Sequence, residues 1–161
     1  MTINTEQLKR ECAAFGVELT EQAAERFDIY AATLIEWNAK MNLTAITEPS
    51  AVVTRHFADS LTVLPCLSPN EGASLIDVGS GAGFPGLALK IARPDLNITL
   101  LDGTMKRITF LQEAANRMGL AVNAVHARAE EAARRPELRE QFDHATARAV
   151  AAMNLLAEYC L

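Results

Sequence analysis

The segment Leu75-Ile-Asp-Val-Gly-Ser-Gly-Ala-Gly-Phe-Pro-Gly86 runs an apolar stretch directly into a glycine-rich loop, with Pro85 standing where a helix would begin. Four glycines in eight residues let backbone approach a ligand closely, and a helix start offers N–H groups to a negative group. A tight strand-to-helix turn with no ligand is the plainer alternative, though it needs fewer glycines. Downstream, apolar runs at 97–101, 122–126 and 142–147 alternate with helical periods. One helix is expected over 85–92, stopping near Pro94. A second is capped by Thr104, carries Ile108, Leu111, Ala115 and Met118 on one face and ends at Gly119. A shorter one spans 129–135, before Pro136. Short apolar runs alternating with helices are the pattern of βαβ units, so an α/β fold with a parallel sheet is expected.

Upstream the texture is helical, without strand alternation or internal repeat. Thr20 suits an N-cap for a helix bearing Phe27, Ala31, Leu34 and Ile35 on one face and reaching about Asn38. Pro49 suits the first turn of another, through Val52, Val53, Phe57 and Leu61 to about Leu64, before Pro65. Residues 67–72 read as a linker. The expected division is a helical N-terminal extension over 1–70 and an α/β domain over 71–161. Residues 153–161 read as an apolar helix with no strand after it, so a sheet lacking its last strands is expected.

The cofactor can be argued from charge. Gly81-Ala-Gly-Phe-Pro-Gly86 fits GxGxxG, which keeps a nicotinamide dinucleotide and an NAD(P)-dependent oxidoreductase in view. Asp77, just upstream, would then stand beside a diphosphate, an unfavourable pairing. Read as Asp77-x-Gly79-x-Gly81-x-Gly83, the motif suits S-adenosylmethionine, which has no phosphate and carries a cationic sulfonium and ammonium; Asp77 is expected to face the ammonium. Asp102 lies 19 residues after Gly83, at the end of the next apolar run, where a carboxylate can accept from ribose hydroxyls or cap the following helix.

With 161 residues, 50% hydrophobic and 22% charged, the composition is that of an ordinary globular chain. Cys12, Cys66 and Cys160 are odd in number, far apart and without a CxxC pair, which argues against a disulfide framework or a zinc knuckle. No secretory leader or membrane-spanning run is read, so a cytoplasmic location without membrane or metal partners is expected. Residues 1–83 carry a net −6 and residues 84–161 a net +1, so composition alone does not signal a nucleic-acid binder. The cations of the later half could still form a local patch.

Beyond the glycine loop, several stretches carry a likeness. They are Glu36-Trp-Asn-Ala-Lys-Met-Asn-Leu-Thr-Ala-Ile-Thr47, Arg55-His-Phe-Ala-Asp-Ser-Leu61, Leu101-Asp-Gly-Thr-Met-Lys-Arg107, Ala127-Arg-Ala-Glu-Glu131 and Ala147-Arg-Ala-Val150. With the glycine loop between them, the sequence resembles the bacterial small-subunit ribosomal RNA guanine-N7 methyltransferases, also called glucose-inhibited division protein B. The resemblance implies a Rossmann-like S-adenosylmethionine-dependent methyltransferase fold behind a helical extension, acting on small-subunit ribosomal RNA or the ribosomal particle. It also implies cofactor contacts at Gly79, Phe84, Ala129, Glu130 and Arg148, with Asp102 as the ribose-binding acid. A non-catalytic ribosome-binding module is the remaining alternative.

The expected chemistry needs little from side chains. Guanine N7 has an in-plane lone pair and no proton, so attack on a sulfonium methyl requires no general base, and the sequence offers no triad or metal cluster. His56, His126 and His144 read as structural or exposed, with His56 the one placed for an inter-element contact. Trp37 reads as a packing anchor between extension and sheet. Lys106 and Arg107 at a helix start oppose its dipole, which hints at an external anion or a solvated surface. Arg148, at a strand end, is the stronger functional candidate.

Overall fold

The computed structural model describes residues 1–148 together with 157, 158 and 160. The segment 153–161 and the end of the Ala147–Val150 motif therefore fall largely outside the described residues.

The extension opens with α1 (Thr5–Ala13), which the sequence reading left unassigned. The Asn4 side chain accepts the Gln7 N–H at 2.9 Å to cap it, and Leu8 and Cys12 are buried beneath it. In α2 (Glu21–Met41) the Thr20 hydroxyl accepts the Ala23 N–H at 3.1 Å, as expected of a cap. The helix runs three residues past the expected end at Asn38 and stops where Asn42 turns left-handed. Glu48 caps α3 (Pro49–Val52), its carboxylate accepting from the Ser50 and Ala51 N–H groups. A π-helical turn (Val53–Ala58) follows, then α4 (Asp59–Leu61). The expected helix to Leu64 thus ends at Leu61, and Pro65 opens a further turn, α5 (Leu64–Leu67), because proline suits a first turn as well as it ends a last one.

Four strands, β1 (Ser74–Val78), β2 (Asn97–Asp102), β3 (Asn123–His126) and β4 (His144–Ala147), pair in parallel in the order β3-β2-β1-β4. Parallel neighbours need crossovers, supplied by α6 (Gly86–Ala92), α7 (Met105–Arg117) and α8 (Ala129–Ala132). β4 starts two residues later than the apolar run suggests. Asp143 leaves the ladder to accept the Ser74 N–H and hydroxyl, both at 2.8 Å. The register sets Asp77 between Leu100 and Thr146, and Asp102 against His126. Chain order reverses at β1, between β2 and β4, and in such sheets ligands sit at the carboxyl ends of the strands at that point.

Alternation on β1 divides the packing. Leu75 joins Leu87, Leu100 and Leu111 in a core that continues into the extension through Leu8, Phe27, Leu34 and Phe57. Ile76 and Val78 face a second cluster with Leu101, Ala127 and Ala132. Trp37 does anchor the two parts, meeting Phe110 edge-on with centroids 5.8 Å apart, and Arg117 grips Glu36 through two hydrogen bonds nearby. Lys90 is buried in α6 and donates from Nζ to the carbonyls of Pro94 and Leu96, both at 2.7 Å. This ties the helix end to the turn into β2.

Candidate functional site

The glycine loop turns through three left-handed residues, Gly79 (φ 70°), Gly81 (φ 57°) and Gly83 (φ 96°). Only glycine adopts these angles without strain. The loop folds back over β2: the Ser80 N–H donates to the Leu101 carbonyl at 2.9 Å, and the Gly83 N–H closes the turn on the Ser80 carbonyl at 2.7 Å. The glycines then differ in what they face. A Cβ on Gly81 would meet nothing nearer than 4.0 Å, so that side of the loop is open. A Cβ on Gly83 would lie 2.5 Å from the Tyr30 hydroxyl and 2.9 Å from Leu87, so this glycine serves packing. The Tyr30 hydroxyl donates to the Ala82 carbonyl, holding the loop from the extension side.

Asp77 is not where the charge argument places it. Its side chain is fully buried, with Oδ2 accepting the Gly86 N–H at 2.9 Å and Oδ1 accepting the Thr146 hydroxyl at 3.2 Å. It staples β1, α6 and β4 together rather than facing an ammonium in a cleft. Burial pushes its pKa up to about 6, partly offset by the Gly86 N–H and by Ser80 and Thr146. The argument against a diphosphate survives in a different form. At the start of α6, Pro85 has no N–H, the Gly86 N–H is taken by Asp77, and the Leu87 N–H donates to the Gly83 carbonyl. Two donors at this helix start are therefore already occupied, one of them by a carboxylate, which a diphosphate there would have to face.

Asp102 is the junction of the opposite side. Its Oδ2 accepts the Gly81 N–H at 2.9 Å and its Oδ1 the Thr104 N–H at 2.8 Å, while its own carbonyl accepts the Ala127 N–H at 3.1 Å. One residue thereby holds the glycine loop, the start of α7 and the segment leading to Ala129 and Glu130. The expected Thr104 hydroxyl cap is absent; the Asp102 carboxylate receives the Thr104 amide instead. Arg107 Nη1 approaches Asp102 Oδ2 at 3.7 Å, so this cation in the first turn of α7 has an internal partner although its side chain is 45% exposed. Lys106 is exposed. Ala129 is half-buried and Glu130 exposed in the first turn of α8.

Phe84 and Arg148 meet on the other side of the loop. Phe84 is buried, its ring stacked on His56 with centroids 4.5 Å apart and planes 9° apart. The Arg148 guanidinium carbon lies 5.1 Å from the Phe84 ring centre. Arg148 Nη1 donates to Asp59 Oδ2 at 2.9 Å and Nη2 to His56 Nδ1 at 3.3 Å; His56 Nε2 lies 2.8 Å from the Thr44 hydroxyl. Of the two readings open for His56, a helix-surface or an inter-element contact, the structure shows the second. Asp59 was missed, although it sits three residues after His56 in the quoted motif, one helical turn on. Burial, with Arg148 and Arg55 alongside, lowers the His56 pKa to about 4.

Nine residues were expected to form the site. Gly79, Gly81, Gly83, Phe84, Asp102, Ala129, Glu130 and Arg148 all gather at the carboxyl end of the sheet, and Asp77 lies beneath it. A cavity of about 840 Å³ opens beside this group, against Ile76, Val78 and Leu101 on the second sheet face, and shares only Ala129 and Glu130 with it. Among the described residues no cluster of three His, Cys, Asp or Glu could hold a metal ion, and no helix is long and apolar enough to cross a membrane.

Solved structures that superpose on the chain place the fold. A putative protein-L-isoaspartate O-methyltransferase from Plasmodium falciparum, in complex with S-adenosyl-L-homocysteine, superposes with a TM-score of 0.59 at 15% identity, covering 100% of this chain and 81% of that one. Coclaurine N-methyltransferase superposes at 0.53 and 17% identity, covering 89% and 50%. The fold is the Rossmann-like fold of S-adenosylmethionine-dependent methyltransferases. The family model for GidB, "rRNA small subunit methyltransferase G", matches residues 23–161, and the chain belongs to that family. Two relatives named ribosomal RNA small subunit methyltransferase G are similar to it. That of Clostridium perfringens (strain 13) is 47% identical over 155 residues, or 96% of this chain and 65% of the relative. That of Lachnoclostridium phytofermentans is 50% identical over 149 residues, or 92% and 62%. The chain spans just under two thirds of the length of these relatives.

Proposed function

We propose that the protein is an S-adenosylmethionine-dependent methyltransferase that methylates N7 of a guanine in small-subunit ribosomal RNA. The observation that carries the reading is the open side of Gly81 next to an Asp102 carboxylate that has lone pairs to spare. A carboxylate offers about four acceptor positions, and the Gly81 and Thr104 N–H groups take two of them; the side chain is 4% exposed, and a ribose hydroxyl would reach it at that opening beside Arg107. The occupied start of α6 favours a nucleoside without phosphate, and family membership supplies the reaction class.

In this reading Gly79 and Gly81 lend backbone, Asp102 accepts from the ribose, Ala129 and Glu130 border the adenine, and Arg148 faces the amino-acid end. Phe84 supports Arg148 from below. Gly83 and Asp77 act on the loop from inside, the first by making room for Tyr30 and Leu87, the second by pinning α6. The bound cofactor would supply an electrophilic methyl group on a sulfonium. The chain's own contribution is to orient and desolvate: holding two reactants in line is worth roughly 7–11 kcal/mol, enough for a nucleophile that needs no deprotonation. The extension over 1–70 and the α/β part over 71–161 act together here, since Tyr30 and His56 reach the loop from the first part.

The decisive assay is transfer of tritiated methyl from S-adenosylmethionine to small-subunit particles lacking the modification, using the full-length protein. Label at guanine N7 is expected; ribosome association without label would favour a binding module instead. Asp102→Ala removes the ribose acceptor and the brace on Gly81, and calorimetry should show S-adenosylhomocysteine bound about tenfold more weakly, or about 1.4 kcal/mol. Unchanged affinity would remove Asp102 from the site.

A further inference from the structure

Arg148 carries only donors, so the ring nitrogen that receives its Nη2 at 3.3 Å, His56 Nδ1, must be an acceptor. The proton of the neutral ring therefore sits on Nε2, which donates to the Thr44 hydroxyl at 2.8 Å. The imidazole is polarised in a fixed direction: Thr44 holds one edge, Arg148 leans on the other, and the flat side stacks on Phe84 of the glycine loop. Asp59 fixes the second terminal nitrogen of the same guanidinium at 2.9 Å. His56 and Asp59 flank the end of the π-helical turn, where the extra residue per turn changes the direction of side chains relative to an α-helix, and the Ser60 hydroxyl bonds back to the His56 carbonyl.

Among the described residues, two of the five guanidinium N–H groups of Arg148 are committed, and its side chain is one third exposed. The remaining donors stand at the carboxyl end of β4, beside the loop, with the charge and planarity to grip a carboxylate. We infer that His56, with Asp59, is a positioning residue that aims the Arg148 guanidinium at the carboxylate of the cofactor's methionine portion. The helical extension is then a working part of the cofactor site. This inference rests on the methyltransferase reading above.

Two substitutions separate positioning from mere anchoring of the Thr44 segment. Asn carries its amide oxygen where His carries Nδ1, so His56→Asn keeps the acceptor for Arg148. Gln reaches the position of Nε2, so His56→Gln keeps the partner for Thr44 and abandons Arg148. Calorimetry on the full-length protein with S-adenosylhomocysteine should find His56→Gln weakened about tenfold and His56→Asn within about threefold of the parent. With 5′-methylthioadenosine, which lacks the amino-acid portion, all three proteins should bind alike. In an Arg148→Ala background, His56→Gln should add no further loss. The inference is overturned if Gln rescues and Asn does not, if both ligands weaken equally, or if the two substitutions are additive. A parent protein that binds neither ligand and transfers no methyl would instead overturn the methyltransferase reading itself.

Discussion

Gly86→Ala is expected to destabilise the protein by on the order of 3 kcal/mol or more, among the largest effects available to a single added methyl group. The backbone angle at Gly86 is ordinary for a helix start, so the cost comes from contact. A Cβ there would lie 2.5 Å from Leu100 Cδ2, 2.6 Å from Asp77 Oδ2 and 2.7 Å from Asp77 Cβ. None of these can retreat easily, because Asp77 is held by Gly86 and Thr146 and Leu100 lies in the middle of β2. Gly81→Ala makes the opposite trade. It has open space but a left-handed angle, which costs about 1–2 kcal/mol, and its new methyl group would project toward the open side of the loop. Urea unfolding should therefore show Gly86→Ala far less stable than Gly81→Ala. Calorimetry with S-adenosylhomocysteine should show Gly81→Ala binding at least tenfold more weakly than its stability loss explains. Equal stability losses would mean that the seat of α6 is looser than described.

The second large effect is a pair of opposed pH dependences. Asp77 titrates near pH 6 when folded against 3.8 when free, so the folded state holds the extra proton between these values. Its stabilising contribution is complete below about pH 3.8 and is lost as pH rises through 6. His56 runs the other way: folded near 4, free near 6.5, its contribution is present above 6.5 and is lost as pH falls through 4. Each shift is worth about 3 kcal/mol at 1.36 kcal/mol per pH unit, and in the parent protein the two largely offset between pH 4 and 6.5. Asp77→Asn, whose amide can keep both hydrogen bonds, should leave the pH dependence of His56 unopposed, with stability falling by about 3 kcal/mol relative to the parent from pH 6.5 to 4. His56→Gln should show a gain of the same size over that interval. Denaturant midpoints at four or five pH values test both, and parallel curves for all three proteins would show that neither group is buried as described.

The strands and the loop were legible because each is local. An apolar run before glycines, a proline at a helix start and an acid closing the next run need no knowledge of distant residues. The roles within the site were less legible because they depend on contacts between residues far apart in sequence. Asp77 reads as a charge at the mouth of the loop, and only Thr146, brought alongside by β4 69 residues later, shows it to be sealed underneath. The charge argument favoured S-adenosylmethionine over a dinucleotide from a premise that the buried Asp77 does not meet; the family itself was legible in the motifs on either side of the loop. Arg107 read as a cation facing either an external anion or solvent, and the approach of Asp102 from the preceding strand could not be read locally. The meeting of His56, Asp59 and Arg148 spans about 90 residues and a π-helical turn that no periodicity announces.

The Tyr30 hydroxyl bonded to the Ala82 carbonyl has a bearing on protein engineering. A designer who grafts residues 74–92 onto another Rossmann scaffold would carry over the glycine turn but leave behind the phenol that keeps it in shape. The graft would need a donor at that spot, and Gly83 would otherwise border a void the size of a ring. Chimaeras that exchange α2 together with the turn should accept the transplant, and those that exchange the turn alone should not.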